Sequence, residues 1–185
     1  MESFEKVYEV VKSKLSEKRF YHSVCTMERC MEYAKIYGID EEKAKLVGIA
    51  HDIAKETAKD LVYEEARKYE VELDEIEKIA LPLVHAKVGA EICKREFGFT
   101  EEMTNAIKYH TTGRENMSVL EKITYLADVT GKDREYEECK IAYQMAKNDL
   151  DKALLYFFKR TIERTIEGNK ILHTDTIKAY NYLIK

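Results

Sequence analysis

Four of the five histidines in this 185-residue chain fall in an order with two aspartates: His22, the adjacent pair His51 and Asp52, His85, His110, and Asp128. Successive members are separated by 29, 34, 25 and 18 residues. A lone histidine on a helix is more often part of a hydrogen-bonded core or of the surface than a ligand. The surroundings of the doublet argue otherwise. Leu46, Val47, Gly48, Ile49 and Ala50 lead into it, and Ile53 and Ala54 follow. A carboxylate buried among such residues costs several kcal/mol unless it is paired or metal-bound. Ile123, Tyr125, Leu126 and Ala127 place Asp128 in the same position. Neutral imidazole with carboxylate suits a divalent transition ion such as iron(II), manganese or zinc. No cysteine joins the set, which excludes a structural thiolate zinc site.

The elements that must carry these residues are helical. Seven glycines and one proline fall far below the average usage of about 7% and 5%, and a β-sandwich or barrel needs many more for its turns. Phe4, Val7, Tyr8, Val11 and Leu15 recur at helical spacing, and Phe20, Val24, Met27, Met31 and Ala34 form the stripe of a second helix that Gly38 ends. Asp40 caps a third, running to about Ile53. Thr57 is expected to cap a fourth, and Pro82 to open one through Phe97 and Gly98. Thr100 with Glu101 and Glu102 starts the next, which ends near His110. Ser118 and Glu121 form a capping box ahead of Val119, Leu120 and Ile123. The stretch from Gly131 to Glu138 reads as a loop. Leu150, Ala153, Leu154, Phe157, Thr161, Ile162 and Ile166 make a long stripe closed by Gly168, and a last helix begins near Thr174. Each candidate ligand therefore lies on, or at the end of, a different helix, which is how a helical bundle builds a metal site. The expectation is one all-α domain over residues 1–185 with about nine to eleven helices, its ligand core at about 19–130 and helices from about 136–185 completing the bundle.

Charge and targeting bound the partners. Thirty-one basic against 35 acidic residues give a net charge of −4, so there is no general cationic field for nucleic acid or membrane. A polyphosphate ligand needs local help from a metal or a few placed cations. No long apolar run or signal pattern is present, and a cytoplasmic protein is expected. Cys25, Cys30, Cys93 and Cys139 contain no C-x-x-C pair and read as free thiols used in packing. Five residues apart on a helix, Cys25 and Cys30 point about 140° away from each other.

These residues resemble the HD-domain metal-dependent phosphohydrolases, whose motif is a His, a His-Asp doublet and a distal Asp. More narrowly the chain looks like the bacterial YqeK-type symmetrical diadenosine tetraphosphatases. The stretches that carry the likeness are Arg19-Phe20-Tyr21-His22-Ser23, His51-Asp52-Ile53-Ala54-Lys55, His85 with Val88-Gly89-Ala90, His110-Thr111-Thr112-Gly113, and Met117 to Ile123 leading into Ala127-Asp128. The similarity as a whole runs from about residue 19 to the C-terminus. Two stretches depart from that family: Val24-Cys25 stands where a glycine is usual, and Asp128 to Arg134 replaces an acidic residue and a proline. These changes bear on substrate preference more than on hydrolysis.

The resemblance implies an HD-domain bundle and metal-dependent hydrolysis of diadenosine tetraphosphate to two ADP by metal-activated hydroxide. It assigns His22, His51, Asp52 and Asp128 to the first ion, iron(II) before manganese, cobalt or zinc. His85 and His110 match positions that contact phosphate or hold a second ion with Asp52 as bridge, so one ion or two remain open. Asp52 would orient the water. His85 or His110 would stabilise the transition state or protonate the leaving oxygen, as a histidine titrating near 6.5 can. Lys55, Arg134 and the segment Ile171, Leu172, His173, Thr174 are the nucleotide and phosphate candidates. Partners are a small dinucleoside polyphosphate and its nucleotide product, with no nucleic acid, no membrane, and a homodimer left open. The alternatives are another HD-type nucleotide phosphohydrolase, acting on mononucleotides or cyclic dinucleotides, and a non-hydrolytic metal-dependent nucleotide sensor.

Overall fold

The computed structural model describes residues 1–185. Its order is α1 (Phe4–Lys14), α2 (Glu17–Tyr37), α3 (Glu41–Ala50), α4 (Val62–Lys68), a 3-10 turn at Leu81–Leu83, α5 (Val84–Phe97), α6 (Glu101–Lys108), α7 (Val119–Thr130), α8 (Glu137–Ala146), α9 (Leu150–Glu167) and α10 (Thr174–Leu183), with no strand. The start signals in the sequence are used. Asp40 accepts from the Glu42 and Lys43 backbone N–H groups, Thr100 accepts from Met103, and Ser118 and Glu121 form a complete capping box. Gly38 and Gly98 close α2 and α5 with φ of 65° and 68°, the left-handed conformation that costs glycine least.

Helix α2 is the central beam, packed chiefly on α3 and α7, while α5 packs on α6, α6 on α7, and α8 and α9 on each other and on α7. One continuous apolar core runs from Val7 in α1 to Ala179 in α10. The deepest face of α2 differs from the expected stripe. Phe20, Val24, Met27 and Met31 are only half-buried, and the innermost positions are His22, Ser23, Cys25, Thr26, Arg29, Cys30, Tyr33 and Ala34. The polar members of that face are held across to α7 or its end: Arg29 Nε donates to the Thr130 carbonyl at 2.9 Å, and Tyr33 shares a 2.8 Å hydrogen bond with the Thr130 hydroxyl. Periodicity counts apolar residues and cannot see a face that is buried because its polar groups are paired.

Two boundaries and one stripe also differ. Helix α3 stops at Ala50 rather than Ile53, because the backbone changes from four-residue to three-residue bonds: Ile53 N–H donates to Ala50 O at 3.0 Å and Lys55 N–H to Asp52 O at 2.8 Å. That tightening turns the doublet inward. Thr57 caps nothing; α4 begins at Val62 after a turn in which Leu61 N–H donates to Ala58 O. In α9 the buried residues are Leu150, Ala153, Leu154, Phe157 and Phe158, whereas Ile166 is 64% exposed, so only the first half of that stripe is core. All four cysteines are free and buried, and no helix is long and apolar enough to cross a membrane.

Two glycines are required by close approach. An added Cβ on Gly48 would lie 2.6 Å from the Met27 backbone, where α3 meets α2, and one on Gly113 would lie 2.5 Å from the Phe158 ring. At Gly48 helix propensity and packing oppose each other. Alanine gains about 1 kcal/mol in helix propensity, but overpacking against a backbone costs about 1–3 kcal/mol. Gly48→Ala is therefore expected to lower the unfolding free energy measured in urea, and a stabilised variant would contradict the close α2–α3 contact.

Candidate metal centre

Three of the histidines are locked in the same way. His51 Nδ1 donates to Gly48 O at 2.8 Å, His85 Nδ1 to Pro82 O at 2.7 Å, and His110 Nδ1 to Ile107 O at 2.6 Å. A carbonyl can only accept, so each Nδ1 carries the ring proton and each Nε2 is left as a bare lone pair. The local fold makes this arrangement repeat: His51 follows the last residue of α3, His85 is the second residue of α5 beyond the Pro82 turn, and His110 sits in the turn after α6. In each case the accepting carbonyl is three residues back. His22, inside α2, is held instead by side chains, with Nδ1 2.7 Å from Asp133 Oδ2 and Nε2 2.9 Å from Asp128 Oδ1.

The four Nε2 atoms surround the Asp52 carboxylate, which is 2% exposed. On one side Asp52 Oδ2 lies 3.0 Å from Arg19 Nη1, 3.6 Å from His51 Nε2 and 4.0 Å from His22 Nε2. On the other, Oδ1 lies 3.1 Å from His85 Nε2 and 3.5 Å from His110 Nε2, which are 3.3 Å from each other. Because those two nitrogens have no proton to offer, Oδ1 faces lone pairs. Both Asp52 Oδ1 and His51 Nε2 are buried with no hydrogen-bond partner. Buried acceptors converging at such distances are repulsive until a cation stands between them. The ligand atoms of His22, His51 and Asp128, and those of His51, Asp52 and His110, lie within 4.8 Å of one another. The donor set therefore fits a divalent ion, and Asp52 presents one oxygen to each of two neighbouring positions.

The electrostatics agree. Burial takes His51 and His85 down to about 4, so both are neutral ligands at pH 7. Burial also works against the charge on Asp52, yet the carboxyl is held well below its usual range, with the Arg19 guanidinium 3.0 Å from Oδ2 as its neighbouring cation. Asp128 is likewise lowered despite burial, chiefly by His22. For His22, burial is outweighed by hydrogen bonds to Asp128 and Asp133, which raise its affinity for a proton.

Among the phosphate candidates the structure brings two to this centre. Lys55 Nζ is 3.2 Å from His85 Nε2, and Arg134 Nη2 donates to Asp128 Oδ1 at 2.9 Å while its Nε holds the Asp128 carbonyl. The segment from Ile171 to Thr174 does not join the histidine cluster. His173 caps α10, its Nδ1 accepting from the Asp175 backbone at 3.1 Å, so its proton is on Nε2 and is directed at Asp74 Oδ2, also at 3.1 Å. That tautomer is the reverse of the other three. Ile171 and Thr174 are exposed and Leu172 is half-buried. The α10 contribution to the centre is indirect: Thr176 Oγ1 donates to Thr112 O at 2.9 Å and fixes the turn after His110.

Two functional side chains have no assigned role in the sequence reading. Arg19 lies three residues before His22, hence on the same helix face, and that spacing was the available signal. Asp133, which orients His22, stands in a polar loop where nothing in the local pattern distinguishes it from its neighbours.

An all-helical bundle with histidines and aspartates from separate helices converging on one carboxylate defines a class, and the HD-domain family model matches residues 19–133. The chain belongs to the HD-domain family. It is 36% identical to the symmetrical bis(5'-nucleosyl)-tetraphosphatase of Halalkalibacterium halodurans, over 97% of this chain and 96% of that one. It is 35% identical to the Bacillus subtilis protein of the same name, over 94% of each. A crystal structure described as a "predicted HD superfamily hydrolase involved in NAD metabolism" from Clostridium acetobutylicum superposes with a TM-score of 0.95 and 38% identity, covering 100% of this chain and 98% of that one.

Two outcomes are expected. Asp133→Ala frees the His22 ring and should weaken metal binding about 10- to 100-fold with the helical circular-dichroism signal intact; unchanged affinity by titration would remove Asp133 from the centre. For the metal-free protein, His51 and His85 fall from the ordinary 6.5 to about 4 on folding. The unfolded chain therefore takes up protons first, and this stabilisation, fully present above about 6.5, is lost as pH falls towards 4. The raised His22 opposes this, as one group against two, and the lowered Asp52, Asp128 and Asp133 add to the loss at the acid end. The urea midpoint without metal should fall steadily from pH 7 to pH 4.5; a rising midpoint would contradict the neutral, buried state of these rings.

Proposed function

We propose that the protein is a metal-dependent phosphohydrolase that cleaves diadenosine tetraphosphate and related dinucleoside polyphosphates symmetrically, giving two ADP. The convergence of bare Nε2 atoms on both oxygens of Asp52 carries the reading, and the near full-length likeness to proteins named symmetrical bis(5'-nucleosyl)-tetraphosphatases supports the substrate. His22, His51, Asp52 and Asp128 hold the first ion, with iron(II) as the proposed metal. His85 and His110 with Asp52 Oδ1 hold a second. Such ions lower the pKa of coordinated water towards neutrality and polarise the phosphoryl oxygen under attack. A dinucleoside polyphosphate substrate accords with a cytoplasmic enzyme.

The residues of the chain supply the rest. The substrate carries about four negative charges, and Arg19, Lys55 and Arg134 stand at the centre to offset them. Asp52, ionised and with an oxygen turned to each ion position, orients the attacking water. That water forms a bond to one of the two central phosphorus atoms, the bridging oxygen leaves with the other ADP, and one proton is released or taken up by the leaving oxygen. His85 does not fill the acid role expected from a group titrating near 6.5. It is neutral near pH 7 and its only proton is given to Pro82 O. Lys55 is the cation beside it and is placed to meet the leaving charge.

Asp52→Ala should lose bound metal and nearly all turnover while the helical signal persists. His22→Ala and His51→Ala should lose the first ion and catalysis together. His85→Ala and His110→Ala should fall from two ions per chain to one, with a rate loss of at least about 10²-fold. Metal analysis of anaerobically purified protein, alongside product analysis, tests this set. Retained stoichiometry in the His85 and His110 variants would make them phosphate contacts of a mononuclear site, and AMP with ATP as products would contradict symmetrical cleavage.

A further inference from the structure

His110 opens a long irregular connection. His22, His85 and Asp128 lie within helices and His51 directly follows one, whereas His110 stands at the start of the stretch from Tyr109 to Ser118 that joins α6 to α7. Its Nε2 is nonetheless held 3.5 Å from Asp52 Oδ1 and 3.3 Å from His85 Nε2. The far end of the connection is closed by an ion pair. Arg114 Nε donates to Glu121 Oε1 and Arg114 Nη2 to Glu121 Oε2 at 2.8 Å, and Oε2 also accepts the Ser118 backbone N–H at 2.7 Å. Glu121, in the first turn of α7, is 1% exposed. The same guanidinium lies 5.2 Å from the centre of the Tyr109 ring. One side chain therefore reaches from the residue before His110 to the helix that follows the connection. Neither Arg114 nor Glu121 hydrogen-bonds a ligand residue.

The charge on Glu121 exceeds what the helix start needs. In a capping box glutamine serves as well as glutamate, because that side chain has only to accept one backbone N–H. A buried carboxylate is costly unless it is paired, and the cation that Glu121 meets is Arg114. The planar guanidinium matches a carboxylate at two points, which a lysine ammonium cannot do. We propose that Arg114 and Glu121 are positioning residues: their forked pair draws the connection closed, sets His110 Nε2 against Asp52 Oδ1, and so fixes the His85–His110 cation position. The inference rests on the two-ion reading above and adds to it the residues that hold the second position. The first position is anchored elsewhere. Asp128 is held by His22 and Arg134, and the end of α7 by Arg29 on the Thr130 carbonyl. From the α10 side, Thr176 holds the Thr112 carbonyl and the Tyr182 hydroxyl donates to Asn116 Oδ1 at 3.1 Å. Loss of the fork should therefore let the His110 turn shift without unfolding it.

The test titrates manganese(II) calorimetrically into the full-length wild-type chain and two variants, with ion content per chain measured after desalting. Glu121→Gln keeps the cap and removes the charge, whereas Arg114→Lys keeps the charge and removes the fork. The wild-type chain should bind two ions. In both variants the first ion should bind as in wild type, while the second weakens about 10- to 100-fold, the usual loss when a residue supporting a ligand is changed. Turnover should fall with the occupancy of the second position, and helicity should be unchanged. A role in stability alone would lower the melting temperature and leave both ion affinities at their wild-type values, and that result overturns the proposal. Equal weakening of both ions, or loss of the helical signal in both variants, overturns it as well; if one variant fails to fold, the other decides. A wild-type chain that binds a single ion would contradict the two-ion reading itself, and the positioning role would fall with it. Two ions in wild type with an unchanged second affinity in the variants would leave that reading standing and remove the fork from it.

Discussion

An ionised carboxylate removed from water costs several kcal/mol unless neighbouring groups replace its hydration. Asp52, 2% exposed and ionised, imposes that requirement on the whole bundle. The groups that surround it are brought from elsewhere: Arg19 and His22 from α2, His51 from its own turn, His85 from α5 and His110 from the end of α6. Three of the four rings have spent their only proton on a backbone carbonyl, so they cannot neutralise the charge by hydrogen bonding. The arrangement is complete only with a cation, which ties folding of the centre to ion binding.

This constraint explains features that packing alone does not. Tightening of the backbone after Ala50 looks like a frayed helix end, yet it is what aims His51 and Asp52 inward while Gly48, one turn back, supplies both the close approach to α2 and the carbonyl that fixes the His51 tautomer. The α7 end delivers Asp128, and the loop beyond it returns Asp133 and Arg134 to either side of His22. The C-terminal helices act at one remove. Through Thr176 and the packing of Gly113 on Phe158 they fix the turn that presents His110.

Much of the centre was legible in the sequence because its signal is chemical: charged or ligating residues set in apolar runs, as at His51-Asp52 and Ala127-Asp128. The helices were legible where capping and periodicity agree, as at Asp40, Thr100 and Ser118. What escaped depends on distance in the chain. Asp133 meets His22 across 111 residues, and no local pattern reports such a pairing. The inner face of α2 escaped because Arg29 and Tyr33 are buried by virtue of partners at Thr130. His173 shows the converse. A histidine next to Thr174, within a likeness to nucleotide hydrolases, reads as a ligand contact, and nothing in the local pattern reports that it also caps α10 and pairs with Asp74 across 99 residues.

The central claim is that Asp52 bridges two cation positions, one oxygen to each. The most direct measurement is anomalous X-ray diffraction at the absorption edge of the bound metal, on crystals grown with that metal. The account predicts two anomalous peaks on opposite sides of the Asp52 carboxylate, one within coordination distance of His22, His51 and Asp128 and the other of His85 and His110. A single peak with Asp52 outside its coordination sphere, or peaks confined to the Asp74, Glu77 and His173 cluster, would contradict it.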